Sequence, residues 1–235
     1  MELIPVIDLK GGAVVHARGG ARGDYAPIAT PLAQGSAPAD VLTGLARAVP
    51  FRSVYVADLD AIERRGSHAA ALADLAAGFP LFRFWVDPGL DAADALAWLG
   101  AEQHVLVLGS ESQRAAAALR DVRGHDRCVL SLDFRGDTFI GPHDILEDAS
   151  LWPARVIVMT LARVGGGGGP DVQRLAEVVA RAEGRAVYAA GGVRDARDLR
   201  TLAEIGVAGA LVATALHSGA ITARSLEVDG PSLAE

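Results

Sequence analysis

The sequence predicts an α/β protein, a closed (β/α)8 barrel of the TIM type built from two half-barrel repeats and filling residues 1–235 as a single domain. Three observations carry that expectation. Eight short apolar runs alternate with stretches of helical length and no long linker. Segments of the first half recur in the second at a spacing of roughly half the chain, which is not a solenoid period. Late in the chain the apolar run Ala186-Val-Tyr-Ala-Ala190 breaks at Gly191-Gly192 and passes at once into a helical pattern. Such a loop brings unpaired N–H groups and the positive end of a helix dipole to one point, which favours an anion.

The runs read as strands are residues 3–7, 53–57, 82–86, 104–108, 128–132, 155–159, 186–190 and 210–212, and a short piece at 13–16 pairs as a hairpin inside the first loop. The helical patterns between them fall at 39–48, 69–77, 92–99, 112–122, 170–182, 196–204 and 221–226. Ile7-Asp-Leu-Lys-Gly11 resembles Leu132-Asp-Phe-Arg-Gly136 at a displacement of 125 positions. Gly89-Leu-Asp-Ala-Ala-Asp-Ala-Leu96 resembles Gly192-Val-Arg-Asp-Ala-Arg-Asp-Leu199 at 103, and Val107-Leu-Gly-Ser110 resembles Leu211-Val-Ala-Thr214 at 104. Alanine-, glycine- and valine-rich segments match by chance, but three matches in one order argue for a repeat. An open doubly wound sheet is the other arrangement of such elements. It lacks its signature here, because Asp8 stands where a Gly-x-Gly-x-x-Gly loop would begin.

Composition narrows function. With 51% apolar, 22% charged and only 5% aromatic residues, the chain suits a helix-clad parallel sheet. Its net charge of −7 argues against nucleic-acid and anionic-membrane partners, though not against a small anion held by one loop. The lone Cys128 has no disulfide partner and sits in an apolar run, which reads as core packing. The N-terminus shows no signal pattern and no apolar stretch approaches membrane-spanning length, so the expectation is a cytoplasmic protein, a monomer or small homo-oligomer. Scattered histidines without His-Glu-x-x-His or paired cysteines point to no metal, and no cofactor motif is present.

Under the repeat, Asp8 and Asp133 end the first and fifth strands and face one barrel mouth from opposite sides. Two carboxylates on a common ligand divide labour as base and acid when their surroundings differ; the alternative is that each merely caps its loop. Thr160 ends the sixth strand, as a hydroxyl for the substrate or as an ordinary β-branched strand residue. Asp58 reads at least as well as a loop cap as a catalytic acid, and Lys10 as a loop charge rather than a Schiff-base lysine. Gly191 and Gly192, with Ala213 and Thr214 after the last strand, form the predicted phosphate grip, unless the glycines serve only tight turns. Gly109 and Ser110 are the first-half counterparts of that last loop and join the candidate binding residues. Gly19-Gly-Ala-Arg-Gly-Asp-Tyr25 reads as a lid. The glycine run 165–169 reads as a flap or a backbone approach to ligand, through Gly165 and Gly166.

Pro5-Val-Ile-Asp-Leu9, Val56-Ala-Asp-Leu-Asp-Ala-Ile62, Ser131-Leu-Asp-Phe-Arg-Gly136, Ala189-Ala-Gly-Gly-Val193 and the loop after Val212 resemble the histidine-biosynthesis barrel family. That family comprises the phosphoribosylformimino-aminoimidazole carboxamide ribotide (ProFAR) isomerase and its sister cyclase, and the Asp58-Leu-Asp-Ala-Ile62 run looks more like the isomerase. The resemblance spans residues 3–219. It implies a cofactor-free Amadori rearrangement of a phosphorylated aminoaldose, with Asp8 as base, Asp133 as acid, Thr160 assisting, and one phosphate on Gly191, Gly192, Ala213 and Thr214. Two departures stand out. Where the family holds a second phosphate on a Gly-Gly-Gly-Ile-Arg-like run, this chain reads Val86-Asp-Pro-Gly-Leu-Asp91. After the sixth strand it reads Thr160-Leu-Ala162 and Val164-Gly-Gly166, without the acids the family shows there. These departures also fit a divergent relative acting on another phosphorylated metabolite, as in organisms that make the C1-carrier cofactor methanopterin, or a non-catalytic phosphate-ligand protein.

Overall fold

In the computed structural model, which describes residues 1–232, ten strands form one sheet, and eight of them close into a barrel. The strands are β1 (Glu2–Lys10), β2 (Ala13–Val15), β3 (Ser53–Asp58), β4 (Arg83–Asp87), β5 (Val105–Gly109), β6 (Cys128–Arg135), β7 (Thr138–Ile140), β8 (Arg155–Thr160), β9 (Ala186–Ala190) and β10 (Gly209–Val212). Around the barrel the order is β1, β3, β4, β5, β6, β8, β9, β10. Parallel pairing of β10 with β1, Glu2 opposite Gly209, closes the ring. β2 and β7 stand off it as antiparallel hairpin partners of β1 and β6.

The helices are α1 (Pro38–Ala48), α2 (Leu59–Ile62), α3 (Ala69–Gly78), α4 (Ala92–Ala101), α5 (Leu119–Val122), α6 (His143–Glu147), α7 (Val172–Arg181), α8 (Ala196–Glu204), α9 (Thr214–His217) and α10 (Ala223–Asp229). Strand alternation divides the apolar residues between two packed layers. Leu3, Ile7, Val54, Phe84, Leu106, Leu130 and Val156 face the helices. Ile4, Tyr55, Trp85, Val107, Val129, Ile157, Tyr188 and Leu211 fill the barrel itself. With the centre plugged by large side chains, ligand space is left only toward the strand ends.

Register decides what lies at those ends. Asp8 pairs with Ala57 and Ala57 with Asp87; Asp133 pairs with Met159 and Met159 with Ala190. The two hairpins share a spacing as well: Asp8 opposite Val15 and Leu9 opposite Val14 reappear 125 positions on as Asp133 opposite Ile140 and Phe134 opposite Phe139. β7 has no counterpart in the elements expected from the sequence, because a three-residue strand carries almost no periodicity.

The single helix expected at 112–122 is absent. The segment makes two 3-10 turns, Ser110–Ser112 and Ala116–Ala118, before the short α5. The physical reason is competition: the Gln113 side chain accepts from the Ala92 N–H, and the Arg114 N–H donates to Asp91, so the chain is drawn toward α4 instead of winding on itself. α7 starts at Val172 rather than 170 because the Asp171 carboxylate caps it by accepting from the Arg174 N–H. α10 starts at Ala223, where Thr222 and Ser225 form a reciprocal capping box.

Candidate active site

A pocket opens at the C-terminal ends of the strands, as expected for this barrel. Its wall includes Asp8, Tyr55, Asp87 and Asp133 and, at the ends of β9 and β10, Gly191, Gly192, Ala213 and Thr214; Gly20, Arg22 and Tyr25 of the first loop and Gly165 and Gly166 of the glycine run complete it. Asp8 and Asp133 therefore share one cavity, each at the end of its own strand.

Their surroundings differ. The Asp8 carboxylate has no hydrogen-bond partner among the described residues, and burial pushes it up to about 7 against the opposing pull of the Arg22 guanidinium. Asp133 is also pushed up to about 7 by burial, with the Ser131 hydroxyl opposing and the Glu111 and Asp87 carboxylates adding to the rise. It is held by the Ser131 hydroxyl at 2.6 Å and by the Glu111 N–H at 3.1 Å. A cation thus faces Asp8, whereas carboxylates face Asp133.

Asp87 joins this group. Burial raises it to about 6; the Gly89 N–H donates to it at 2.9 Å and the Tyr55 hydroxyl at 3.3 Å. Gly109 makes the crowding feasible, since a Cβ there would lie 3.2 Å from an Asp133 oxygen and 3.5 Å from an Asp87 oxygen. The Arg22–Glu111 ion pair lies across the same side of the pocket, and the Lys10 ammonium donates to the Arg22 carbonyl. Gly19 donates its N–H to Val164 at 2.9 Å, so the first loop and the glycine-run loop meet over the mouth.

The wall at the ends of β9 and β10 is made of backbone. The N–H groups of Gly191, Gly192, Ala213 and Thr214 have no acceptor among the described residues. Gly191 and Gly192 adopt φ of +97° and +88°. A side chain on either would also collide with backbone: Gly191 with the Thr160 carbonyl, Gly192 with that of Gly169. Packing alone demands these glycines; the free donors leave the loop with the means to receive an anion.

Several expected residues lie elsewhere. Thr160 is buried and absent from the pocket wall, where its neighbours Met159 and Leu161 stand. Strand alternation explains this, because the inward positions of β8 are Ile157 and Met159. Ser110 is fully buried, donating to the Ile140 carbonyl at 2.6 Å and accepting from the Asp133 N–H at 2.9 Å, so it supports the β6–β7 hairpin rather than a ligand. Gly109 leaves room for carboxylates and does not itself line the pocket. Asp58 caps α2 through the Ala61 N–H and grips His68, whose other ring nitrogen accepts from Gly12. Lys10 is outside the wall, and buried Cys128 is pushed up to about 12 by desolvation, an inert thiol. The glycine run is partly tied down: the Arg163 guanidinium donates to the Gly169 carbonyl at 2.8 Å and the Pro170 carbonyl at 3.2 Å. Sequence reasoning missed Tyr55 and Glu111; Tyr55 was within reach, three positions before Asp58 on a strand whose alternate residues face inward.

No helix of the described residues is long and apolar enough to cross a membrane. The family described as histidine biosynthesis protein matches residues 2–222. A Paenarthrobacter aurescens protein named 1-(5-phosphoribosyl)-5-((5-phosphoribosylamino)methylideneamino) imidazole-4-carboxamide isomerase is 30% identical, over 98% of this chain and 96% of its own length. A protein of the same name from Symbiobacterium thermophilum is 32% identical over 94% and 93%. An uncharacterized protein from Methanocaldococcus jannaschii is 27% identical over 94% and 95%.

Proposed function

The chain belongs to the histidine biosynthesis protein family, and from that premise we propose that it is an aldose–ketose isomerase working by acid–base catalysis on a phosphorylated aminoaldose. The observation that carries the reading is the placing of two carboxyls, both raised to about 7, in one pocket with four unpaired backbone donors. A carboxyl near neutrality is matched to proton transfer at working pH.

In this reading the substrate phosphate sits on the N–H groups of Gly191, Gly192, Ala213 and Thr214, which fixes the sugar between the aspartates. Asp133, kept protonated by its acidic neighbours, gives its proton to the ring oxygen, and the C1–O bond opens to a Schiff base. Asp8, kept ionised by Arg22, removes the proton from C2, and the electron pair left behind forms the enolamine. Asp8 returns its proton to C1 and Asp133 takes the C2 hydroxyl proton, which gives the ketose and leaves both carboxyls in their starting protonation states. Arg22 and Tyr25 cover the reacting carbons and keep water from the intermediate.

The test is aldose-to-ketose turnover of a synthetic N-substituted 5-phosphoribosylamine, an aminoaldose with one phosphate, by purified protein. Wild-type turnover that falls by about 10²–10⁴ in Asp8→Asn and in Asp133→Asn is expected. Unchanged turnover in either variant would falsify the assignment.

A further inference from the structure

Two strand–helix loops stand opposite each other across the mouth, because β4 and β9 are four strands apart in a ring of eight. Both lead to a helix whose start is capped by an aspartate, Asp91 for α4 and Asp195 for α8. They differ in the donors they leave over. At the β9 end Gly191 and Gly192 keep theirs, and so do Ala213 and Thr214 alongside. At the β4 end Pro88 has no N–H, the Gly89 N–H is held by Asp87, and the Asp94 N–H by the Asp91 carbonyl.

Gln113 completes the closure. Buried at 7% exposure, its amide oxygen accepts from the Ala92 N–H at 2.8 Å, and its amide nitrogen donates to the Leu90 and Gly109 carbonyls at 3.0 and 2.9 Å. Asp91 accepts from the Ala93 N–H at 3.0 Å and from the Arg114 N–H at 2.8 Å. Only Leu90 and Asp91 keep N–H groups without an acceptor among the described residues. The pocket wall on this side presents the Asp87 carboxylate and Glu111; of the cations nearby, Arg22 is paired with Glu111, and Arg114 with Asp91 and Asp94.

We propose that Gln113 and Asp91 are specificity-determining residues that close this end to anions, so that the substrate is a monophosphate whose far end carries no second phosphate or carboxylate. The proposal rests on the phosphate cradle at Gly191, Gly192, Ala213 and Thr214. An anion at the β4 end meets repulsion from Asp87, and the Gly89, Ala92, Ala93 and Asp94 N–H groups that would receive it already have partners.

Calorimetric titration with ribulose 5-phosphate and with ribulose 1,5-bisphosphate tests it, using wild type, Thr214→Asp and the pair Asp91→Ala, Gln113→Ala. The expected result is a bisphosphate affinity no more than about threefold above the monophosphate's in wild type, and loss of both ligands in Thr214→Asp. In the paired variant the bisphosphate gains at least tenfold over the monophosphate. A wild-type preference of more than about threefold for the bisphosphate overturns the proposal and leaves the cradle standing. Monophosphate binding that ignores Thr214→Asp, or no binding of either compound, overturns the cradle and the proposal together. Should the paired variant fail to fold, the wild-type affinity ratio decides alone.

Discussion

The β4 and β9 ends of the mouth have the same ingredients and opposite properties. Each has a short parallel strand, a positive-φ glycine and an aspartate-capped helix, yet one presents bare backbone donors and the other presents carboxylates. The difference lies in two or three side chains, not in the fold. Asp87 takes the Gly89 N–H and Gln113 the Ala92 N–H, whereas no side chain reaches Gly191 or Gly192. An anion site in a barrel is therefore made or unmade by what the neighbouring loop lends to it. Helix dipole and glycine content do not decide it alone.

The comparison breaks most severely if the carboxyls between the two ends are dispensable. Asp8→Asn and Asp133→Asn should each lower turnover by about 10²–10⁴, measured at saturating substrate, because each removes one proton-transfer group. Next in size is the glycine end. Gly192→Ala forces a Cβ against the Gly169 carbonyl at a φ of +88°, and should cost roughly 1–3 kcal/mol in denaturant unfolding while weakening phosphate binding. The matching change at the other end, Gln113→Ala, strands the Leu90 and Gly109 carbonyls and the Ala92 N–H, at about 1–3 kcal/mol, but should not weaken monophosphate binding. Isothermal titration on both variants separates the two ends.

The smallest effect is in pH. Asp8 and Asp133 near 7 and Asp87 near 6 stand above their ordinary 3.8, so the folded chain holds more protons than the unfolded one between about pH 4 and 7. Their contribution is complete below the ordinary carboxylate value and fades as pH rises through 7. His217 acts in the other direction: burial lowers it to about 4 from 6.5, so its contribution is present above 6.5 and is lost as pH falls toward 4. Three carboxyls outweigh one imidazole, and Tm should be several degrees higher at pH 5.5 than at pH 8. Turnover should follow a bell centred near pH 7, where one carboxyl of the pair is ionised and the other is not.

How much of this was legible in the sequence follows from the range of each interaction. Strand existence was, since runs such as Ser53-Val-Tyr-Val-Ala57 are buried on both faces and carry no polar break. Asp8, Asp133 and the Gly191–Gly192 loop were too, because strand ends of a barrel converge on one mouth wherever they fall in the chain. Thr160 was not, since whether a strand's last residue faces in or out turns on a one-residue phase that Met159 occupies. Ser110 looked like its repeat partner Thr214 and serves the hairpin of β6 and β7 instead, a contact 30 residues away. Gln113 was read as part of a helix; two of its three partners, Ala92 and Leu90, sit more than 20 positions earlier, beyond any local pattern. What the chain hides is the long-range hydrogen bond, and here such bonds occupy the backbone donors at one end of the mouth and not at the other.

The measurement that bears most directly on the account is a crystal structure of the protein soaked in inorganic phosphate. One anion on the N–H groups of Gly191, Gly192, Ala213 and Thr214, facing Asp8 and Asp133 across the same cavity, is the result expected. An anion against Gly89 and Ala92, or an empty β9 end at saturating phosphate, would contradict it.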